Sequence, residues 1–170
     1  MPIGEPITLK EVQLRLGVPQ HVLIHLCEKG VVEPDFAETS GRGKRREFSE
    51  RNAFEFGVAL ALRRIELPVA TTAQLVRLLR TFAKAVGKAS PSLELPGALL
   101  EKDVAMGLHL FDGELLVLSA HGAGFRTPLL LGAKLGAPAR VAKLDRLPAS
   151  FEAHLELNLR AIARSVARAT

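Results

Sequence analysis

The residues of this chain with the clearest chemical capacity form a basic cluster in its first third. The cluster places four cations within five residues, with one glycine before them and one among them: Gly41, Arg42, Gly43, Lys44, Arg45 and Arg46. Glycine permits the tight backbone path of a hairpin tip, and guanidinium and ammonium groups bind phosphate oxygens. The cluster therefore indicates a nucleic-acid contact, although a solvated surface loop can carry the same composition.

The overall charge agrees with an acidic partner for the amino-terminal half. The net charge of the 170 residues is +5. Residues 1–90 carry +4 of this excess and residues 91–170 carry +1. A basic excess on one part of a chain is typical of contact with phosphates, and a generally basic, soluble surface is the alternative.

Other groups that could do chemistry do not form a known pattern. The five histidines are scattered along the chain: His21, His25, His109, His121 and His154. His21, His25 and Glu28 follow helical spacing and allow only a weak surface metal site. Ser119–Gly124 has the composition of a turn but lacks the full glycine-rich pattern of a phosphate-binding loop. We therefore expect no catalysis, no cofactor and no metal.

The terminus and the cysteine count predict a cytoplasmic protein with no membrane partner. One cysteine excludes an intramolecular disulfide and suits a reducing compartment. The first residues lack the basic segment and apolar run of a signal peptide, and no uncharged apolar stretch reaches the roughly 20 residues that span a bilayer.

Helical patterns surround the basic cluster. Thr8 and Glu11 form a capping box for a first helix that ends at Gly17, and a second helix is expected from Gln20 to Lys29. Its inward face comprises Val22, Leu23, Leu26 and Cys27, and its outward face His21, Ile24, His25 and Glu28.

The cluster itself lies between this helix pair and two further helices. Phe36 and Phe48 are expected to fix the two arms of a hairpin over residues 31–48. Ser49 caps a third helix to about Ile65, and a fourth begins at Thr71 or Thr72. Two helices joined by a tight turn and followed by a basic hairpin describe a winged helix-turn-helix, which lays one helix in a major groove.

The second half predicts a small α/β domain. Residues 87–98 resemble a linker, and Asp112-Gly113 between two apolar runs predicts a hairpin. Residues 140–144 suggest another strand. Ser150 is expected to cap a helix from Phe151 to about Ala169, with charged residues every four positions on its outer face. The fold class is α+β: residues 1–86 form a winged helix-turn-helix of four helices and a wing hairpin, and residues 99–170 form the α/β domain.

Residues 7–80 resemble the DNA-binding domain of the MerR family of bacterial transcription regulators. The most specific stretch is Arg46–Asn52, which has the family's arginine, aromatic residue and serine followed by an acidic or amide residue. The other matching stretches are Ile7–Val12, Leu16–Val18, Glu28–Pro34 and Leu67–Thr72 with the leucines that follow.

The resemblance implies a homodimer that binds and distorts double-stranded operator DNA, and therefore a protein of the bacterial nucleoid. It does not extend past residue 80, and we expect the carboxy-terminal domain to serve dimerisation or to bind a small-molecule or protein effector. Carried over by position, the recognition-helix face comprises Gln20, His21, Ile24 and His25. The wing comprises Arg42, Lys44, Arg45 and Arg46.

Two alternatives remain open at this point. Ile24 stands where the family usually has an arginine, and Glu28 would repel nearby phosphates. These residues favour an adaptor or antagonist that keeps the fold without reading DNA sequence. An excisionase-like factor that bends DNA is the other alternative, because excisionases share the module.

Overall fold

The computed structural model describes residues 5–36, 46–91, 93–122, 124–136, 138 and 140–167. These residues form a mixed α+β fold with six helices and seven strands. In chain order the elements are β1 (Ile7–Thr8), α1 (Leu9–Leu16), α2 (Gln20–Glu28), β2 (Glu47–Phe48), α3 (Glu50–Arg64), α4 (Val69–Ala89), α5 (Gly97–Glu101), β3 (Val104–Phe111), β4 (Leu115–Gly122), β5 (Leu129–Lys134), β6 (Ala142–Lys143), β7 (His154–Asn158) and α6 (Leu159–Ala167).

The chain divides into two compact units, residues 1–76 with 162–170 and residues 77–161. The boundaries fall inside α4 and α6, whereas the sequence placed them around a linker at 87–98. In the described part of that stretch, α4 continues to Ala89, Leu93 is buried and α5 begins at Gly97. The small and proline-rich composition that suggested a linker is therefore accommodated by two helix ends and a buried leucine.

The first two helices of the first unit follow the predicted pattern. The Thr8 hydroxyl accepts from Glu11 N at 3.2 Å, which is one half of the predicted capping box, whereas the Glu11 carboxylate accepts from the Arg15 guanidinium at 3.0 Å. Gly17 ends α1 in the left-handed conformation that glycine favours, with φ of 62°. Leu23 and Leu26 hold α2 in the core, and Val22 and Cys27, which were also expected inside, are half-buried.

The third and fourth helices are also close to prediction. Ser49 caps α3, and the helix ends at Arg64 with Ile65 exposed. Helix α4 begins at Val69, two residues earlier than the first threonine predicted. Its apolar stripe is buried as the helical spacing required: Leu75, Leu79, Phe82 and Val86.

The first unit also contains a two-stranded sheet. Strand β2 pairs antiparallel with β1, so that Phe48 faces Ile7 and both side chains are buried. The sequence placed Phe36 and Phe48 on two arms of one hairpin. In the described residues the partner of β2 is instead the strand that precedes α1, and Phe36 is half-buried outside any strand. The tip of the predicted hairpin lies outside the described residues.

The second unit is built on an antiparallel sheet in the order β6-β5-β4-β3-β7. The Asp-Gly turn forms the predicted hairpin between β3 and β4, with positive φ at both Asp112 and Gly113. Ser119–Gly122, expected in a turn, belongs to β4 because these residues pair with β3 as far as Val104. One sheet face forms the core and includes Met106, Leu108, Leu110, Leu116, Leu118 and Leu131.

The predicted long terminal helix is wrong in its first half. Residues 154–158 form β7, which pairs with β3 so that Leu155 faces Leu110. Leu155 and Leu157 alternate with polar residues, and the open edge of β3 favours that alternation over the helical spacing of the same leucines. Helix α6 begins only at Leu159, after Asn158 accepts from Ala161 N at 3.0 Å.

Residues 144–153 join β6 at one edge of the sheet to β7 at the other. An ideal Cβ on Gly132 would lie 2.7 Å from Leu144 Cδ1, and the Phe151 ring lies 5.1 Å from the Phe111 ring. Gly132 and Phe111 share one sheet face by the strand register. Both ends of the connection therefore lie on this second face, opposite the core leucines.

Among the described residues, no helix combines the length and the apolar character needed to cross a membrane.

Candidate functional site

The predicted recognition residues lie along α2. Gln20, His21 and His25 are exposed, and Ile24 is half-buried. Glu28, one turn beyond His25, is exposed as well. Helix α2 thus presents an edge that offers an amide, two imidazoles and one carboxylate to a partner.

Short-range contacts fix the turn that joins α1 to α2. Gly17 N donates to Gln13 O at 2.9 Å, and Val22 N donates to Pro19 O at 3.0 Å. A helix of nine residues is unstable alone in water, so α2 depends on Leu23 and Leu26, which are buried. The exposed edge is consequently held by packing on the opposite side of the same helix.

The predicted wing is only partly described. Arg42, Lys44 and Arg45 lie outside the described residues, whereas Arg46 is half-buried and directly precedes β2. The structure therefore does not test whether the four cations form one surface.

Both ends of the segment that carries the cations are tied to α3 through Asn52. The Asn52 amide oxygen accepts from Asp35 N at 2.9 Å and from Ser49 N at 3.2 Å. Its amide nitrogen donates to Glu33 O at 2.9 Å and to the Glu55 carboxylate at 3.1 Å. Asn52 has no exposed surface, so one buried side chain joins the residues before and after positions 37–45. We call these contacts the Asn52 clamp.

An ion pair reinforces the Asn52 clamp. Arg51 donates to both carboxylate oxygens of Asp35, at 2.6 and 3.0 Å, and the Ser49 hydroxyl donates to the same carboxylate. The Asp35 side chain is only 4% exposed. The cap at Ser49 was predicted from the sequence, but the role of Asn52 and Asp35 depends on contacts across 14 to 19 residues.

A second polar cluster lies in the other unit, on the sheet face opposite the core leucines. His109 Nε2 lies 2.8 Å from Ser119 Oγ, and His109 Nδ1 lies 3.1 Å from His154 Nε2. Ser119 Oγ is also 3.5 Å from Gly107 O, which it faces as a donor. These side chains form a hydrogen-bonded chain across β4, β3 and β7.

Neighbouring residues leave room for this hydrogen-bonded chain and orient the His154 ring at its outer end. An ideal Cβ on Gly107 would lie 2.8 Å from His109 Nε2 and 3.0 Å from Ser119 Oγ, so only glycine accommodates this hydrogen bond without a shift. The His154 ring stacks on Phe111 with centroids 4.5 Å apart and planes 2° apart. Phe151 contacts the same ring at 5.2 Å.

The electrostatics of His109 favour its neutral form. Burial lowers the pKa of His109, the Glu156 carboxylate opposes this change, and the neighbouring His154 adds to it. A neutral imidazole has one N–H donor and one acceptor nitrogen. Each ring nitrogen of His109 can thus serve a different neighbour.

Glu156 completes a set of three groups that can bind a metal. It faces His109 across the β3–β7 pair and lies two residues after His154 on the same strand face. The ligand atoms of His109, His154 and Glu156 all lie within 4.8 Å of one another. Of the described residues, His21, His25 and Glu28 do not form such a group.

This cluster was not predicted from the sequence, in which His109 and His154 lie far apart and show no common pattern. The Asp112-Gly113 hairpin sets the register that places Ser119 beside Gly107 and His109. This part of the cluster could therefore be predicted from the turn. The pairing of β7 with β3 joins residues 45 positions apart. Because a helix was predicted where β7 lies, the contact of His154 with His109 was not predicted.

Comparison of the chain with models of protein families and with curated protein sequences finds no match in either set.

Proposed function

We propose that this protein is a DNA-binding transcription regulator that places α2 in a major groove and the basic segment 42–46 against phosphates or a minor groove. The supporting observation is a short helix with an exposed polar edge, joined to α1 by a three-residue turn. This arrangement suits the second helix of a helix-turn-helix.

The chemistry of the exposed edge supports contacts with base edges. Gln20 can form a bidentate contact with adenine, and an imidazole such as that of His25 can exchange hydrogen bonds with base acceptors or phosphates. The exposed part of Ile24 can contact a thymine methyl group. Helix α2 therefore offers some sequence readout without an arginine.

The Asn52 clamp supports the role of the basic segment. It connects Glu33 and Asp35 on one side of the segment to Ser49 on the other through a buried side chain. Anchoring both ends of a loop reduces the entropy that binding must remove. The cations at positions 42–46 would thus contact phosphates at a lower ordering cost.

Assembly as a homodimer belongs to the proposal through the MerR resemblance of residues 7–80, and we assign dimerisation or control by an effector to the carboxy-terminal half. A closed twofold dimer would read two half-sites one helical turn apart. Sedimentation with and without duplex DNA measures that stoichiometry.

Selection of binding sites from random duplex DNA tests the proposal. We expect the wild type to enrich one sequence. Gln20→Ala and His25→Ala should each bind that sequence about 10-fold more weakly than the wild type does, because a base contact contributes about 1–3 kcal/mol. Gln74→Ala in α4 and His121→Ala in β4 change the same residue types away from α2 in the sequence and serve as controls, which should bind as the wild type does. Absence of an enriched sequence, or equal losses in the controls, would contradict sequence readout by α2.

An adaptor or antagonist is the second candidate, and the exposure of Glu28 favours it. A carboxylate one turn beyond His25 repels phosphates but suits a basic protein surface. Under this hypothesis Glu28→Gln weakens binding to a protein partner. Under the proposal above, the same change strengthens binding to DNA.

A further inference from the structure

We infer that His109, His154 and Glu156 form a binding site for a divalent transition-metal ion, with zinc the best match. The inference concerns residues 77–161 and does not depend on the proposed DNA contact. It starts from the strand register. His109 lies opposite Glu156 on neighbouring antiparallel strands, and His154 precedes Glu156 by two residues on the same face. Opposed positions on neighbouring strands bring side chains about 5 Å apart at Cβ, so two imidazoles and one carboxylate converge on one spot.

The distance between the two imidazoles suits a shared ion. Tetrahedral zinc binds nitrogen at about 2.0–2.1 Å, which separates two ligand nitrogens by about 3.3 Å. His109 Nδ1 and His154 Nε2 are 3.1 Å apart. The same distance suits a direct N–H···N hydrogen bond, and the experiment below separates the two cases.

The second nitrogen of His109 already has the partner that a metal-binding histidine needs. His109 Nε2 lies 2.8 Å from Ser119 Oγ, which in turn faces Gly107 O. A histidine that binds metal through one nitrogen usually donates a hydrogen bond from the other, and this bond fixes the ring and its tautomer. Ser119 is therefore a positioning residue that leaves His109 Nδ1 directed at His154.

The outer ligands are oriented and accessible. Phe111 and Phe151 contact the His154 ring on the sheet surface. His154 and Glu156 are exposed, while His109 is buried. An ion can reach the site from solvent and keep a water in the fourth position, because three protein ligands leave one tetrahedral position open.

Competition between the metal-free full chain and a chromogenic chelator for Zn²⁺ measures the site. We expect one Zn²⁺ bound per chain at this site, and at least a 10-fold weaker affinity for both His154→Gln and Glu156→Gln. The matched control is His121→Gln, an exposed histidine of β4 on the same sheet face, which should retain wild-type affinity. Thermal unfolding without metal checks that each variant is folded, and the isosteric Glu156→Gln keeps the test valid if His154→Gln does not fold.

Two further measurements define the geometry. Co²⁺ should give the intense visible absorption of a tetrahedral site in the wild type but not in Glu156→Gln. Ser119→Ala should weaken Zn²⁺ binding about 10-fold while keeping one ion per chain, as loss of an outer hydrogen-bond partner does. Wild-type affinity in both ligand variants, or an equal loss in His121→Gln, would overturn the site and leave a simple hydrogen bond between the two histidines.

Discussion

At the scale of single residues, Gly107 leaves room for the hydrogen bond between His109 and Ser119 on the sheet of the second unit. His109 and Ser119 lie on neighbouring strands, and their hydrogen bond passes directly above the Gly107 Cα. Glycine usually weakens a strand because it has no side chain to pack. Here its small size permits a part-buried hydrogen bond, which explains the interruption in the apolar strand.

Gly107→Ala should therefore break the His109–Ser119 hydrogen bond. The added methyl group would lie 2.8 Å from His109 Nε2, so the imidazole must move and leave a half-buried hydroxyl with a poorer partner. We expect a loss of about 1–3 kcal/mol in the free energy of unfolding, measured by chemical denaturation.

Ser119→Ala provides the comparison for this prediction, because it removes the same hydrogen bond without adding a group. It should cost less than Gly107→Ala, and the His109 ring signals in NMR spectra should shift in both variants. Unchanged stability and ring signals in Gly107→Ala would show that the hydrogen bond is not formed as described.

At the scale of elements, the Asn52 clamp determines how β2 and α3 follow the basic segment. The capping box at Ser49 satisfies the first turn of α3, and the same asparagine also binds Asp35 N and Glu33 O. A residue that serves both a helix cap and a distant loop couples the position of the loop to the start of the helix.

Replacing Asn52 by Ala should be more costly than removing an ordinary cap. It leaves two backbone N–H groups, one carbonyl and the Glu55 carboxylate without this partner, and we expect a loss of about 2–4 kcal/mol. The matched control is Asn158→Ala at the exposed cap of α6, which should cost about 1 kcal/mol. Equal losses in chemical denaturation would contradict the special role of Asn52.

Close packing between α3 and α6 leads to a prediction for two helical glycines. An ideal Cβ on Gly57 would lie 2.8 Å from Val166 Cγ2 and 3.0 Å from Ile162 Cγ2, whereas nothing lies within 4 Å of one on Gly87. Gly87→Ala should raise the free energy of unfolding by about 0.5–1 kcal/mol through helix propensity. Gly57→Ala should lose that gain or lower stability, because α6 must move. The same stabilisation in both variants would show that α6 does not pack on Gly57.

The sequence predicted elements wherever local signals decide the structure. The Thr8 and Ser49 caps, the Gly17 stop and the Asp112-Gly113 turn act within a few residues, and each prediction agrees with the structure. Strand β7 was missed because Leu155 and Leu159 fit a helix equally well. Only pairing with β3, which lies far away in sequence, selects the strand.

At the scale of the whole molecule, the sequence predicted an α+β chain in two parts, and the described residues have that mixed composition. The boundaries of the two compact units do not coincide with the predicted linker, because they fall within α4 and α6. The two candidate sites differ in how far the sequence predicts them. The face of α2 was predictable from helical periodicity, whereas the His109–His154–Glu156 group depends on long-range strand pairing.

The most direct test of the account is the salt dependence of binding to duplex DNA, measured by fluorescence anisotropy. The affinity of the wild type for duplex DNA should fall steeply as the salt concentration rises, because each neutralised phosphate releases counterions. Replacing Arg42, Lys44, Arg45 and Arg46 by Ala should abolish binding, or lower the slope of log K against log[salt] by about 3–4 where binding is measurable. A control with the same charge loss replaces four exposed lysines elsewhere in the chain by Ala: Lys84, Lys88, Lys134 and Lys143.

We expect the control variant to keep most of the wild-type affinity and slope. Unchanged affinity and slope in the variant that lacks the basic segment, or an equal loss in the two variants, would contradict the account.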